Sequence, residues 1–297
     1  MDANKTTHMA ATKPDMNNNN IDKAANSSIY DSTSQVSPEL EELREIVRYR
    51  NLVVQMVRRD ILTRYKRSVL GVAWTMLNPL GITIVLAVVF SSVFGGADKG
   101  YPVYVLSGLI AWNFFSQTTN AAITNLVWGG GLLNRIYIPR TVFAVSAIGT
   151  GLVNLTLSLV PVIIVMLFFD IPLTPSLLIL PVPILFLAMF SLGVGLFISS
   201  LAIYYSDVAE MYQIVLMAWF YLSPVIFTDN FLPARVLTII KLVNPMYHLI
   251  NLFRAPIYEG RIPDLTEFLV SGLWAIITLI IGWIVFSRRA DEFAYRV

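Results

Sequence analysis

Six long apolar runs leave this chain few ways to fold. They lie at about 72–94, 102–127, 142–169, 177–203, 211–228 and 267–287. Each reaches or exceeds the roughly 18–20 residues that a helix needs to cross a hydrocarbon core, the fifth being the shortest. The 297 residues are 56% hydrophobic and 13% charged, with a mean hydropathy of +0.66. A soluble domain carries about 25% charged residues, so little of this chain is left to form a soluble body. The expected fold class is all-α: a polytopic membrane protein with six transmembrane helices. Pro161 in the third run, and Pro181 and Pro183 in the fourth, are expected to kink or open those helices, because proline removes a backbone donor.

The chain divides into three parts. Residues 1–37 are rich in Asn, Ser, Thr, Asp and Lys, with the run Asn17-Asn18-Asn19-Asn20. They hold too little apolar area to offset ordering entropy, and no apolar core of a cleavable signal, so a disordered cytoplasmic tail is expected. In 38–71, Ser37-Pro38-Glu39 reads as a helix start, with Ser as cap and Pro in the first helical position. Leu40, Leu43, Val47, Val54, Val57 and Ile61 then recur at helical spacing among Arg44, Arg48, Arg58, Arg59, Arg64, Lys66 and Arg67. Such an amphipathic basic segment beside a span is expected to lie in the membrane interface. Residues 72–297 form the six-span domain.

Basic residues near the span ends set the orientation. The cluster before the first run places that end in the cytoplasm. Six crossings return the C terminus there, in agreement with Arg288, Arg289 and Arg296, and Arg135 and Arg140 agree as well. Against this trend, the outer loop 229–266 carries Arg235, Lys241, Arg254 and Arg261, and the cytoplasmic 204–210 holds only Asp207 and Glu210 as charges. Within the outer loop, Val236–Ile240 and Tyr247–Phe253 are apolar but too short to span, and read as short re-entrant or interfacial helices.

Several chemistries are excluded. A net charge of +2 is no argument for nucleic acid, and the absence of cysteine removes thiolate nucleophiles and thiolate metal sites. The chain has no phosphate-binding loop, no H-E-x-x-H pair and no nucleophile elbow. The spans hold almost no ionisable residues, which disfavours coupling to an ion gradient. If the chain transports, a partner must supply the energy. What stands out instead is polar and neutral. Asn113, Gln117, Asn120 and Thr124 share one face of the second span, either to bond neighbouring helices or to line a polar path. Trp219, Phe220, Tyr221 and Phe227 near the end of the fifth span suit an interfacial belt or a surface on which sugars stack. A short basic, glycine-rich stretch, Gly129-Gly130-Gly131-Leu132-Leu133-Asn134-Arg135-Ile136-Tyr137-Ile138-Pro139-Arg140, interrupts the apolar pattern. It is suited to contact with another protein.

Three stretches carry a resemblance. The first is Arg59-Asp60-Ile61-Leu62-Thr63-Arg64-Tyr65-Lys66-Arg67-Ser68-Val69-Leu70-Gly71-Val72-Ala73-Trp74, running on to Asn78-Pro79. The second is Leu133–Arg140, and the third Asn244-Pro245-Met246-Tyr247-His248-Leu249-Ile250. Over about residues 40–297 the chain resembles the permease subunit of bacterial type-2 ABC exporters for surface polysaccharides such as O-antigen, teichoic acid and capsule. The resemblance implies two permease copies with two copies of an ABC-type ATPase, in the bacterial cytoplasmic (inner) membrane, with both termini cytoplasmic. It implies a substrate entrance at Tyr65, Lys66 and Arg67. It also implies coupling to the ATPase through Asn134, Arg135, Ile138, Pro139 and Arg140, and outer short helices that help close the exit. No cofactor is expected in this chain, ATP and Mg being bound by the partner. One departure is Ser206-Asp207, where family members often carry a basic residue before the acid.

The resulting expectation is a homodimeric permease, not an enzyme, that passes lipid-linked polysaccharide, O-antigen foremost, through a path between its two copies. Its partners are the ATPase, a second copy of itself, the lipid-linked glycan and membrane lipid. Candidate lining residues are Trp74, Asn113, Gln117, Asn120, Trp219, Tyr221 and Phe227. The alternatives are an exporter of a small lipid or drug, and a membrane-embedded enzyme acting on lipid-linked sugars. The enzyme would need converging acids or histidines, and Asp207 with Glu210 is a close acidic pair bordering the spans.

Overall fold

The computed structural model describes residues 38–66, 68–71, 73–93, 100–127, 139–205 and 207–289, and every regular element among them is helical. The expected tail at 1–37 lies outside the described residues, as do Arg67 and 128–138.

The segment expected as one interfacial helix folds as two, α1 (Pro38–Arg48) and α2 (Arg50–Tyr65). They join at Tyr49, whose φ of −94° and ψ of 16° leave helical geometry. The Tyr49 carbonyl accepts from the N–H groups of both Leu52 and Val53, at 2.9 and 3.1 Å, so the second helix restarts at once. α2 buries Met56 to 4% exposure, and Leu43, Val47, Val54 and Leu62 remain exposed.

The membrane-type helices follow: α3 (Ala73–Val93), α4 (Tyr101–Val127) and α5 (Thr141–Phe168). A 3₁₀ turn, Pro175–Ile179, leads into α6 (Pro181–Ala202), and then come α7 (Asp207–Leu222), α8 (Ala234–Val243), α9 (Pro245–Arg254) and α10 (Leu265–Ser287). Each of the six apolar runs therefore contains a helix, which in the fifth ends at Leu222. Among the described residues, though, three helical segments are long and apolar enough to cross a bilayer: Thr141–Phe168, Pro175–Ala202 and Leu265–Ser287. A fourth is added if α8 and the segment after it, bent by 94°, form one broken span.

For two of the runs that fall short, the causes are local. α4 has 27 residues, about 40 Å at 1.5 Å per residue, but Asn113, Ser116, Gln117, Thr118, Thr119 and Asn120 dilute its apolar character. α7 has 16 residues, about 24 Å against a core of about 30 Å. Its apolar run continues to 228, but Pro224 lacks an N–H and drives Ser223 out of helical geometry. Pro161, Pro181 and Pro183 do not open their helices. Pro161 sits inside an unbroken α5, while Pro181 and Pro183 occupy the first turn of α6, whose N–H groups have no intrahelical acceptor in any case.

The sharp turn between α8 and α9 is built by Asn244-Pro245. The Asn244 side chain caps α9 by accepting from the Met246 N–H at 3.0 Å, and Pro245 follows in the first helical position. Its amide also donates to the Leu222 carbonyl at 2.9 Å, fastening the bend to the end of α7.

α4 packs between α5 and α6, and α6 packs along α10. This last contact is backbone on backbone. A Cβ on Gly193 would stand 2.5 Å from the Thr278 carbonyl, and one on Gly282 would strike the Gly193 carbonyl. Small residues at such a crossing let two helices approach without a hydrophobic drive between them. Gly282→Ala is expected to push α6 and α10 apart at a cost of about 1–3 kcal/mol. The check is the thermal unfolding midpoint of the purified protein in detergent, and an unchanged midpoint would show that the crossing tolerates the methyl group. The opposite face of α10 presents Leu269, Leu273, Ile276, Ile277, Ile280 and Ile281, each 41–63% exposed, as lipid would require.

Candidate functional site: a polar cavity walled by α2 to α5

A cavity of about 880 Å³ opens among α2, α3, α4 and α5. From α4 come Asn113, Gln117, Asn120 and Thr124, with Thr118 and Asn125 beside them. Their spacing of four, three and four residues is what places them on one helix face. α5 answers with a second stripe at intervals of four, Thr150, Asn154 and Ser158. α3 adds Trp74, Thr75 and Asn78, and α2 with the turn after it adds Asp60, Thr63, Arg64 and Ser68. Ile110, Phe114 and Leu155 supply apolar patches between the polar groups.

The hydroxyls are accommodated on the helices by back-bonding. Thr124 donates to the Asn120 carbonyl and Ser158 to the Asn154 carbonyl, each at 2.8 Å. The Asn120 side-chain oxygen accepts from Gln213 of α7 at 2.7 Å, so this rim of the cavity is braced by another helix. The Gln117 side chain is exposed and makes no hydrogen bond to another described residue. The Asn154 Oδ1 is buried and accepts no hydrogen bond. Among the described lining residues only Asp60 and Arg64 carry charge, both on α2. Asp60 is paired with Arg59 at 2.8 Å, and Arg64 is exposed.

The sequence-predicted residues divide among several places. Trp74, Asn113, Gln117 and Asn120 line the cavity together, whereas Trp219, Tyr221 and Phe227 do not. Trp219 packs half-buried against the core. Its ring lies 5.2 Å from Phe115 and 6.4 Å from Trp112, and its Nε1–H donates to Asn244 at 2.8 Å. Tyr221 is 64% exposed, and the Phe227 backbone carbonyl accepts from Tyr104 at 2.7 Å. At the expected entrance Tyr65 ends α2 and Lys66 follows it, exposed, while the Tyr65 side chain and all of Arg67 lie outside the described residues. Their neighbours Arg64 and Ser68 reach the cavity on either side.

Of the coupling residues, Asn134, Arg135 and Ile138 lie outside the described residues, and Pro139 is buried at the foot of α5. Next to it, Thr141 donates to the Glu42 carboxylate at 2.7 Å, tying this junction to α1. Burial pulls the pKa of Arg140 down, and the Glu42 carboxylate acts in the opposite direction. The α5 stripe was missed by reading the sequence, although Thr150, Asn154 and Ser158 recur at helical spacing as the α4 residues do. The outer loop supplies another surprise. Arg254 is 1% exposed, with its guanidinium 3.6 Å from the centre of the Tyr104 ring. His248 is bonded locally, its Nε2 lying 2.7 Å from the Lys241 carbonyl.

A multi-pass helical membrane protein with a polar cavity walled by its own helices has the architecture of a permease. Comparison with known proteins places it: the chain belongs to the ABC-2 type transporter family, whose model matches residues 51–258. It is 26% identical over 253 residues to the O-antigen export system permease protein RfbA of Myxococcus xanthus, covering 85% of this chain and 97% of the relative. It is 24% identical over 245 residues to the polysialic acid transport protein KpsM of Escherichia coli, covering 78% and 91%. Similarity extends to the capsule polysaccharide export inner-membrane protein CtrC of Neisseria meningitidis, at 23% over 253 residues, covering 83% and 94%.

Proposed function

We propose that this chain is the transmembrane subunit of an ATP-driven exporter that moves lipid-linked surface polysaccharide, O-antigen in particular, out across the bacterial inner membrane. The observation that carries the reading is the polar cavity of about 880 Å³, in a chain whose export-permease relatives match it over about four-fifths of its length. A glycan offers hydroxyls along its whole length, and amides and hydroxyls stepping along two helices can meet it at any register.

In this reading the six apolar runs each cross the membrane. α3 to α6 and α10 cross as helices, α7 crosses with the irregular segment after it, and α8–α9 is re-entrant on the outer side. Both termini are cytoplasmic. The exposed apolar residues of α1 and α2 then rest in the interface. Two copies face each other so that their cavities form one path, and two ATPase subunits hold ATP and Mg. The entrance combines Arg64 with Tyr65, Lys66 and Arg67 at headgroup depth, where a lipid-linked glycan carries its diphosphate. Arginine and lysine suit phosphate oxygens there, arginine often through two hydrogen bonds. The segment 132–140, ending on Pro139 and Arg140, couples to the ATPase.

The test is ATP hydrolysis by the permease purified with its ATPase. Lipid-linked glycan is expected to stimulate the complex, while the permease alone hydrolyses nothing. In the same preparation Ile138→Asp should leave insertion intact and abolish the stimulation, because an unpaired charge in an apolar contact costs several kcal/mol. Indifference of the complex to glycan, or hydrolysis by the chain alone, would refute the exporter reading. Full stimulation with Ile138→Asp would remove the coupling assignment.

A further inference from the structure

We infer that the cavity selects an uncharged glycan, one built of neutral sugars, over a polyanionic one bearing a carboxylate, sulfate or phosphate along its repeats. The inference rests on the export reading above and specifies its substrate class.

Two observations carry it. The first is where charge is found. The described residues facing the cavity from α3, α4 and α5 are amides, hydroxyls and apolar groups, without a single cation. The two charges on the lining belong to α2, where Asp60 is already paired with Arg59 and Arg64 is exposed. Arg64 can meet one diphosphate at the head of the substrate, but nothing described on the other three helices can neutralise an anion at every repeat. Bringing a carboxylate against such walls strips part of its hydration and returns no opposite charge. A neutral hydroxyl loses less and recovers hydrogen bonds from the walls.

The second observation is the polarity of the hydrogen bonds on offer. Asn154 Oδ1 is a buried acceptor without a donor, on a residue that lines the cavity. A buried acceptor left unmet is unfavourable, and a donor that reaches it removes that penalty. With the Asn154 amide turned toward the cavity, a sugar hydroxyl can donate to that oxygen, whereas an ionised carboxylate or sulfate is acceptor-only and would repel it. Gln117 and Asn78, both exposed, can donate and accept, which again matches a hydroxyl.

The experiment uses the complete exporter, permease with ATPase, in proteoliposomes. Two probes share one polyprenyl-diphosphate carrier and one length: an oligosaccharide of neutral hexoses, and its counterpart with alternate hexuronic acids. The neutral probe is expected to stimulate ATP hydrolysis and enter the lumen at least about tenfold faster than the acidic one, the size of effect that one uncompensated charge produces. Gln117→Lys, and independently Asn78→Lys, should narrow or invert that ratio by supplying the missing cation. Transport of both probes at equal rates, or faster transport of the acidic one, would overturn the selectivity while leaving the export function standing. A ratio unmoved by both lysine variants would likewise overturn it, because selection would then lie outside the cavity. If neither probe is moved, the export reading itself falls.

Discussion

Arg254→Ala is expected to cost the folded permease about 3–5 kcal/mol, the upper range for emptying a filled core position, because the variant also gives up a desolvated cation–π interaction with Tyr104. The guanidinium is fully enclosed. It lies 3.6 Å from the Tyr104 ring centre, donates to the Pro224 carbonyl at 2.6 Å, and reaches the Asn251 side chain at 3.1 Å. Tyr104 in turn donates to the Phe227 carbonyl at 2.7 Å, and Tyr101 to the Ile226 carbonyl at 3.0 Å. Arg254 and the two tyrosines therefore pin the irregular segment after α7 onto α4 and hold α9 beside it. Gly108 makes the fit possible, since a Cβ there would stand 2.6 Å from the guanidinium. Arg254→Lys keeps the charge but loses the planar stack and the fork of donors, so it should recover only part of the stability. The measurement is thermal unfolding in detergent. A midpoint for Arg254→Ala within error of the parent would show that the staple contributes nothing.

Filling the cavity is the other large effect. The chain contains no cysteine, so a single introduced thiol is addressed cleanly by a maleimide. Gln117→Cys, carrying a bulky polymer adduct, is expected to lower export by about tenfold or more, corresponding to a barrier raised by at least about 1.4 kcal/mol. The control is Tyr221→Cys, at a position 64% exposed and away from the cavity, which should keep most of its export when modified. Equal loss at both positions, or full export by modified Gln117→Cys, would place the path elsewhere.

Much of the site was legible because helical periodicity is a local property. Asn113, Gln117, Asn120 and Thr124 could be assigned to one face from their spacing alone, and the structure turns that face into the cavity. The α5 stripe carried the same signal, dispersed through a more apolar run. Aromatic roles were not legible. Trp219 and Tyr221 are two residues apart, yet one packs half-buried against the core and the other is exposed. What separates them is Trp112, Phe115 and Asn244, which are distant in sequence and close in space. Arg254 shows the same limit for charge. In sequence it is a cation in an outer loop, at odds with the expected orientation. Folded, it is an internal bracket, and a cation enclosed by protein is a poor guide to which side of the membrane it faces.

Helical structure and a place in the membrane were legible from the residues alone, since apolar length and backbone hydrogen bonding in lipid leave no other outcome for such runs. The turn at Asn244-Pro245, found in the structure, rests on equally local chemistry, cap and proline acting within a few residues. Helix packing settled what spacing could not: that α6 and α10 touch through Gly193 and Gly282, and that polar stripes on α4 and α5 face each other across one cavity. A residue's spacing fixes which face of its helix it occupies. What that face meets depends on how the helices pack, and packing is settled by contacts between residues far apart in the chain.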